Sequence, residues 1–142
     1  MPFTRRDFGL LSFGAAALAA LGAPRAFAMS DATREAIMAF TGGVEPGEGG
    51  IILNTPEIAE NGSTVPVDVS CEGATRIMLL ADGNPNPGVA SFTFGRLCPS
   101  RSAATRIRLA STQDVIAVAE LEDGSFTMVA NTVKVTIGGC GG

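Results

Sequence analysis

Histidine, tryptophan and tyrosine are all absent from this chain. Without histidine, Ser-His-Asp and Cys-His nucleophile arrangements are excluded. So are the common histidine-containing zinc and haem ligand sets. A nucleophile in this protein lacks its usual base, and no acid–base constellation is visible along the chain. Basic clusters are missing as well. Ten Lys and Arg stand against 14 Asp and Glu, for a net charge of −4. An acidic chain with no basic cluster is a poor binder of nucleic acid. Beyond the N-terminal segment no apolar stretch approaches the ~20 residues that cross a bilayer, so stable membrane association is not expected.

The N-terminal segment has its own pattern. Arg5-Arg6 precede Asp7-Phe8, an uncharged run rich in Ala, Gly and Leu follows, and Ala26-Phe27-Ala28 has small residues at both ends. These three parts stand in the order of an export signal. The run is too short and too glycine-dotted for a membrane anchor, and the twin arginine points to the Tat route. Residues 1–28 are therefore expected to be a Tat signal peptide cleaved after Ala28, with the mature chain in the periplasm. Three arginines and one aspartate leave with it, which moves the net charge from −4 to −6. Residues 29–142 suit one domain.

Ser30-Asp31 predict the cap of a short helix through Thr41, stopped by Gly42-Gly43. Ala36, Ile37 and Phe40 form its apolar face, with Met38 off that face. A Gly/Pro/Glu loop follows at residues 45–50. From there the pattern is β. Ile51 to Leu53 is a short apolar run, and Pro56 to Gly62 breaks it, with Asn61-Gly62 a turn pair. Val65, Val67 and Val69 alternate with polar residues and proline, as in a strand buried on one face. Ile77 to Leu80 is a buried run, and residues 82–88 are a dense turn cluster. Phe92 with Phe94, and Ile107 with Leu109, alternate with small or charged neighbours. Val115 to Leu121 is a longer strand that turns at Glu122-Asp123-Gly124 into Phe126, Met128 and Ala130. Val133, Val135 and Ile137 alternate with Lys134 and Thr136. Seven or so short strands with regularly spaced turns predict an all-β antiparallel β-sandwich over residues 29–137, with a short N-terminal helix.

The alternation gives way to Gly138-Gly139-Cys140-Gly141-Gly142. Glycine explores backbone conformations closed to other residues, and this segment has nothing apolar to bury. Five extended residues reach roughly 17 Å at about 3.3–3.6 Å per residue. Residues 138–142 are therefore expected to be a flexible arm, with Gly138, Gly139, Gly141 and Gly142 as its backbone and Cys140 as its reactive group. That arrangement suits a carrier that shows a cargo to several enzymes. Cys140 is also the odd one out of three cysteines in an exported chain. Cys71 and Cys98 lie near expected strand ends in a compartment that permits disulfides. A bridge across that 27-residue step would stabilise by roughly 3.5 kcal/mol on the loop-entropy model. Two buried free thiols or a metal site are the competing readings. Two thiols without histidine make a weak metal site, so no metal is expected and the disulfide is preferred.

The chain resembles the SoxY family, the sulfur-carrier subunits of the periplasmic thiosulfate-oxidising (Sox) system. The resemblance lies in PEIAENGSTVPV (residues 56–67), NPNPGVASF (84–92), TRIRLA (105–110) through DGSF (123–126), and VKVTIGGCGG (133–142). It implies an immunoglobulin-like sandwich that forms a heterodimer with a second β-sandwich subunit, SoxZ. It implies that Cys140 covalently bears the sulfur substrate and that the carrier is not itself an enzyme. Transient partners are implied too: a c-type haem enzyme that joins thiosulfate to the thiol, a dimanganese hydrolase that releases sulfate, and a molybdenum–haem dehydrogenase. Their cofactors belong to the partners, so none is expected here beyond the sulfur substrate on Cys140. Cys71 and Cys98 depart from the family pattern. An exported β-sandwich interaction module using Cys140 for an intermolecular disulfide is the alternative function.

Overall fold

The computed structural model describes residues 28–139. One helix, α1 (Asp31–Thr41), precedes nine strands: β1 (Gly47–Glu48), β2 (Ile51–Asn54), β3 (Ile58–Ala59), β4 (Val65–Cys71), β5 (Ala74–Ala81), β6 (Gly88–Thr93), β7 (Ser102–Ile107), β8 (Gln113–Leu121) and β9 (Phe126–Val135). The helix begins where a serine can cap it. The Ser30 hydroxyl accepts the Thr33 N–H, satisfying one of the orphan donors of the first turn. It ends at Gly42, whose positive φ of 67° suits the left-handed cap.

The strands form two sheets. One runs β1-β9-β8-β5-β6, with β3 also paired to β9; the other runs β2-β4-β7. Between them lies the main core, built from Val65, Val67 and Val69 of β4, Ile77 and Leu79 of β5, and Val115 and Ala117 of β8, among others. The opposite face of the larger sheet is covered by α1, where Ile37 meets Met78, Leu80, Ile116 and Val118. β5 and β8 are thus buried on both faces, which explains their unbroken apolar runs. β4 has one covered face, and its burial alternates accordingly.

The helix is fastened at two further points. Arg76 lies 4.6 Å over the Phe40 ring and pairs with Glu120 at 2.5 Å. Asp82 accepts the Ser30 backbone N–H at 2.9 Å.

The expected β-sandwich with an N-terminal helix is present. Its sheets are not purely antiparallel, however, because β1 and β3 both pair with β9 in parallel. Each is a two-residue stub held at the sheet edge by loop segments, too short to carry a period. The two apolar stretches 126–130 and 133–137 are one strand that ends at Val135. Asn131 interrupts the apolar pattern, but its side chain crosses to the smaller sheet and donates to Leu53 O at 2.8 Å. Ile137, expected on the buried face, is 68% exposed.

Candidate functional site

The chain leaves β9 between two loops, the one that carries the stub β3 (residues 57–62) before β4 and the one of residues 108–112 before β8. From the first loop, Glu57 O accepts Lys134 N–H at 2.9 Å and Ala59 O accepts Thr136 N–H at 3.1 Å. The Thr136 hydroxyl donates to Glu60 O at 3.0 Å. From the second loop, the Thr112 hydroxyl accepts Val135 N–H at 2.9 Å. The next residues close a small backbone ring. Gly62 N–H donates to Ile137 O at 2.7 Å, Gly139 N–H donates to Leu109 O at 2.9 Å, and Leu109 N–H donates to Gly62 O at 2.8 Å.

Glycine is required in this ring by crowding. A Cβ on Gly138 would overlap Ala110 O, one on Gly139 would sit 2.9 Å from Gly62 O, and one on Gly62 would sit 2.8 Å from Gly139 N. None of the three has positive φ. Gly139 is buried. The expected flexible arm therefore does not begin at Gly138. Gly139 is packed between Leu109 and Gly62, and the exposed Gly138 abuts Ala110 O, because the missing side chains let three peptide segments approach one another. Cys140, Gly141 and Gly142 lie outside the described residues, as do Arg5 and Arg6 of the expected Tat motif.

An open groove of about 370 Å³ flanks the second loop, lined by Asn84, Asn86, Val89, Arg106 and Arg108 among others. Both arginines are exposed, and neither takes part in the ion pairs among the described residues.

The other two cysteines are not bridged. Cys71 and Cys98 are both free thiols, which corrects the expected disulfide. Cys71 ends β4 on its inward face and is 2% exposed. Burial raises its thiol pKa above the ordinary range. Cys98 lies exposed in the loop between β6 and β7, and its Sγ turns to Ser100 O of the same loop at 3.0 Å. Among the described residues, no three His, Cys, Asp or Glu side chains are grouped to hold a metal.

The family model for the sulfur oxidation protein SoxY matches residues 37–140, most of the chain, and reaches Cys140. The chain belongs to the SoxY family. Its fold is similar to that of the sulfur carrier protein SoxY from Chlorobium limicola f thiosulfatophilum. That likeness has a TM-score of 0.63 at 37% identity and covers 74% of this chain and 96% of the other. A superoxide reductase (neelaredoxin) from Ignicoccus hospitalis is also similar, with a TM-score of 0.54 over 61% of this chain and 80% of the other. At 16% identity that likeness concerns the fold alone. No curated protein matches the chain.

Within this SoxY-family fold, sequence reasoning missed the residues that hold the base of the tail. Gly62 reads as half of an Asn-Gly turn, and Asn84 as one of many turn residues in an Asn/Pro cluster. Leu109 reads as a core position, and it is fully buried. Nothing local shows that its backbone carbonyl receives Gly139.

Proposed function

We propose that this SoxY-family sulfur carrier bears its cargo covalently on the thiol of Cys140. In the loading step an S–S bond forms between Cys140 Sγ and the outer sulfur of thiosulfate. The thiol proton leaves as a proton, and two electrons pass to a c-type haem partner. Water then cleaves the S–SO₃ bond in a dimanganese partner, releasing sulfate and leaving a persulfide on Cys140. A molybdenum–haem partner oxidises that remaining sulfur. The chain supplies attachment and presentation, with no catalytic group and no cofactor of its own.

The observation that supports this reading is the anchoring of the chain at Gly139, one residue before Cys140. The family match runs to that residue, and the residue before it is tied to the sandwich by Leu109. Cys71, by contrast, is buried with a raised thiol pKa, and so is poorly suited to accept cargo. Arg106 and Arg108 give the neighbouring surface the sign that suits an anionic adduct. Ile58 and Ile137, both more than half exposed, flank the exit of the chain and suit contact with a receiving protein.

A SoxZ-like β-sandwich subunit is proposed as the stable partner. The Arg5-Arg6 leader would place the pair in the periplasm, and no described helix is long and apolar enough to cross a membrane. Intact mass under non-reducing conditions tests the covalent reading. The chain is incubated with thiosulfate, the haem partner and an electron acceptor. One added thiosulfate unit on the monomer, removed by a thiol reductant, supports it. A reducible doubled mass that persists in Cys98→Ser makes Cys140 an intermolecular disulfide instead.

A further inference from the structure

Two buried amides in this β-sandwich do not serve its apolar core. Asn84 and Gln113 are 8% and 7% exposed. A buried polar side chain persists where its hydrogen bonds are made, and here the partners are specific. Gln113 Nε2 donates to Asn84 Oδ1 at 3.0 Å and to Ser111 O at 3.0 Å. Its Oε1 accepts Gly83 N–H at 2.8 Å. Asn84 Nδ2 donates to Arg108 O at 2.7 Å, and its Oδ1 accepts Ala110 N–H at 3.0 Å.

Three of these bonds grip one short piece of backbone, at Arg108, Ala110 and Ser111. The residue between the first two is Leu109, whose carbonyl receives Gly139 N–H. Ala110 O is the atom that leaves no room for a Cβ on Gly138. On the other side, Gly62 links both parts, donating to Ile137 O and accepting from Leu109 N–H. The amide pair, the loop it pins and Gly62 thus form one continuous support under the last two residues before Cys140.

We propose that Gly62, Asn84 and Gln113 are positioning residues for Cys140. They fix the point from which the thiol leaves the sandwich. Cys140 follows Gly139 by one peptide bond, with about 3.8 Å between their Cα atoms. A thiol leaving a fixed point presents its cargo at one place on the rim, so less freedom is lost when a partner engages it. The purpose of the support rests on the carrier reading; its existence does not.

Amide hydrogen exchange on the full chain, combined with loading kinetics, tests both. The variants are Gly62→Ala, which crowds the ring, and Asn84→Asp, which keeps the shape but loses the donor to Arg108 O. Gly138→Ala serves if either fails to fold. In the parent protein the Gly139 amide should be protected. In the variants its exchange should rise about tenfold or more, while that of Val118 in the sheet stays within about twofold. The carrier concentration for half-maximal loading by the haem partner should rise several-fold, with the maximal rate unchanged. A purely structural role would move Val118 together with Gly139.

An unprotected Gly139 amide in the parent protein overturns the proposal. So does a change at Gly139 only in step with Val118, or unchanged loading once its protection is lost. If Cys140→Ser still supports turnover, the carrier reading fails and the exchange result alone decides whether the support exists.

Discussion

Glycine has two separate uses in this molecule. At Gly42 it supplies a positive φ of 67° that closes a helix. At Gly62, Gly138 and Gly139 it supplies the absence of a Cβ, with ordinary φ. The sequence shows where the glycines are but not which use applies, because the second depends on residues 28 to 77 positions away in the chain. Cysteine has the same limit. Cys71 and Cys98 are candidates for a bridge on paper, yet one faces the core and the other solvent. In the folded protein, peptide mapping after brief alkylation at neutral pH should find Cys98 modified and Cys71 intact. Burial both shields Cys71 and keeps its thiol protonated. After unfolding without reductant, both should be modified. Recovery of Cys71 and Cys98 as a linked peptide pair would restore the disulfide.

At the scale of elements, the sequence was most legible where one side of a strand or helix was covered. The helix cap at Ser30, the alternation of β4 and the hairpin after β8 were all readable from periodicity and turn chemistry. β9 reads as two pieces because Asn131 faces the smaller sheet, a partner invisible to local pattern. β1 and β3 leave no trace in the pattern because two residues carry no period.

The docking of α1 has a pH signature. Burial tends to raise the Asp82 carboxyl, but hydrogen bonds from Thr33 and Ser30 outweigh it and hold the pKa below the ordinary value. A carboxylate lowered on folding stabilises the fold above its unfolded pKa of about 3.9. That contribution disappears as pH falls through the lowered value. Asp82→Asn should therefore lower the melting temperature at pH 7, and the gap to the parent protein should narrow below about pH 4. A gap independent of pH would remove Asp82 from the anchoring of the helix.

At the scale of the whole molecule, the sandwich supplies a rigid frame and the two loops at one rim hold the chain just before Cys140. A domain of this size buries a limited core. Its sheet edges also expose backbone groups that favour a partner. The proposed export through a twin-arginine signal would suit a complex folded before it crosses. Replacing Arg5-Arg6 with Lys-Lys should leave this chain and a leaderless SoxZ-like partner together in the cytoplasmic fraction. Appearance of the partner alone in the periplasm would mean that the two meet after crossing.

Chemistry confined to one thiol is the claim on which the rest depends. Its most direct test is thiosulfate-dependent electron transfer in a reconstituted system containing all three partner enzymes, with Cys140→Ser and Cys98→Ser carriers compared. The expected result is loss of turnover for Cys140→Ser, with its melting temperature unchanged, and full turnover for Cys98→Ser. Sustained turnover with Cys140→Ser would contradict it.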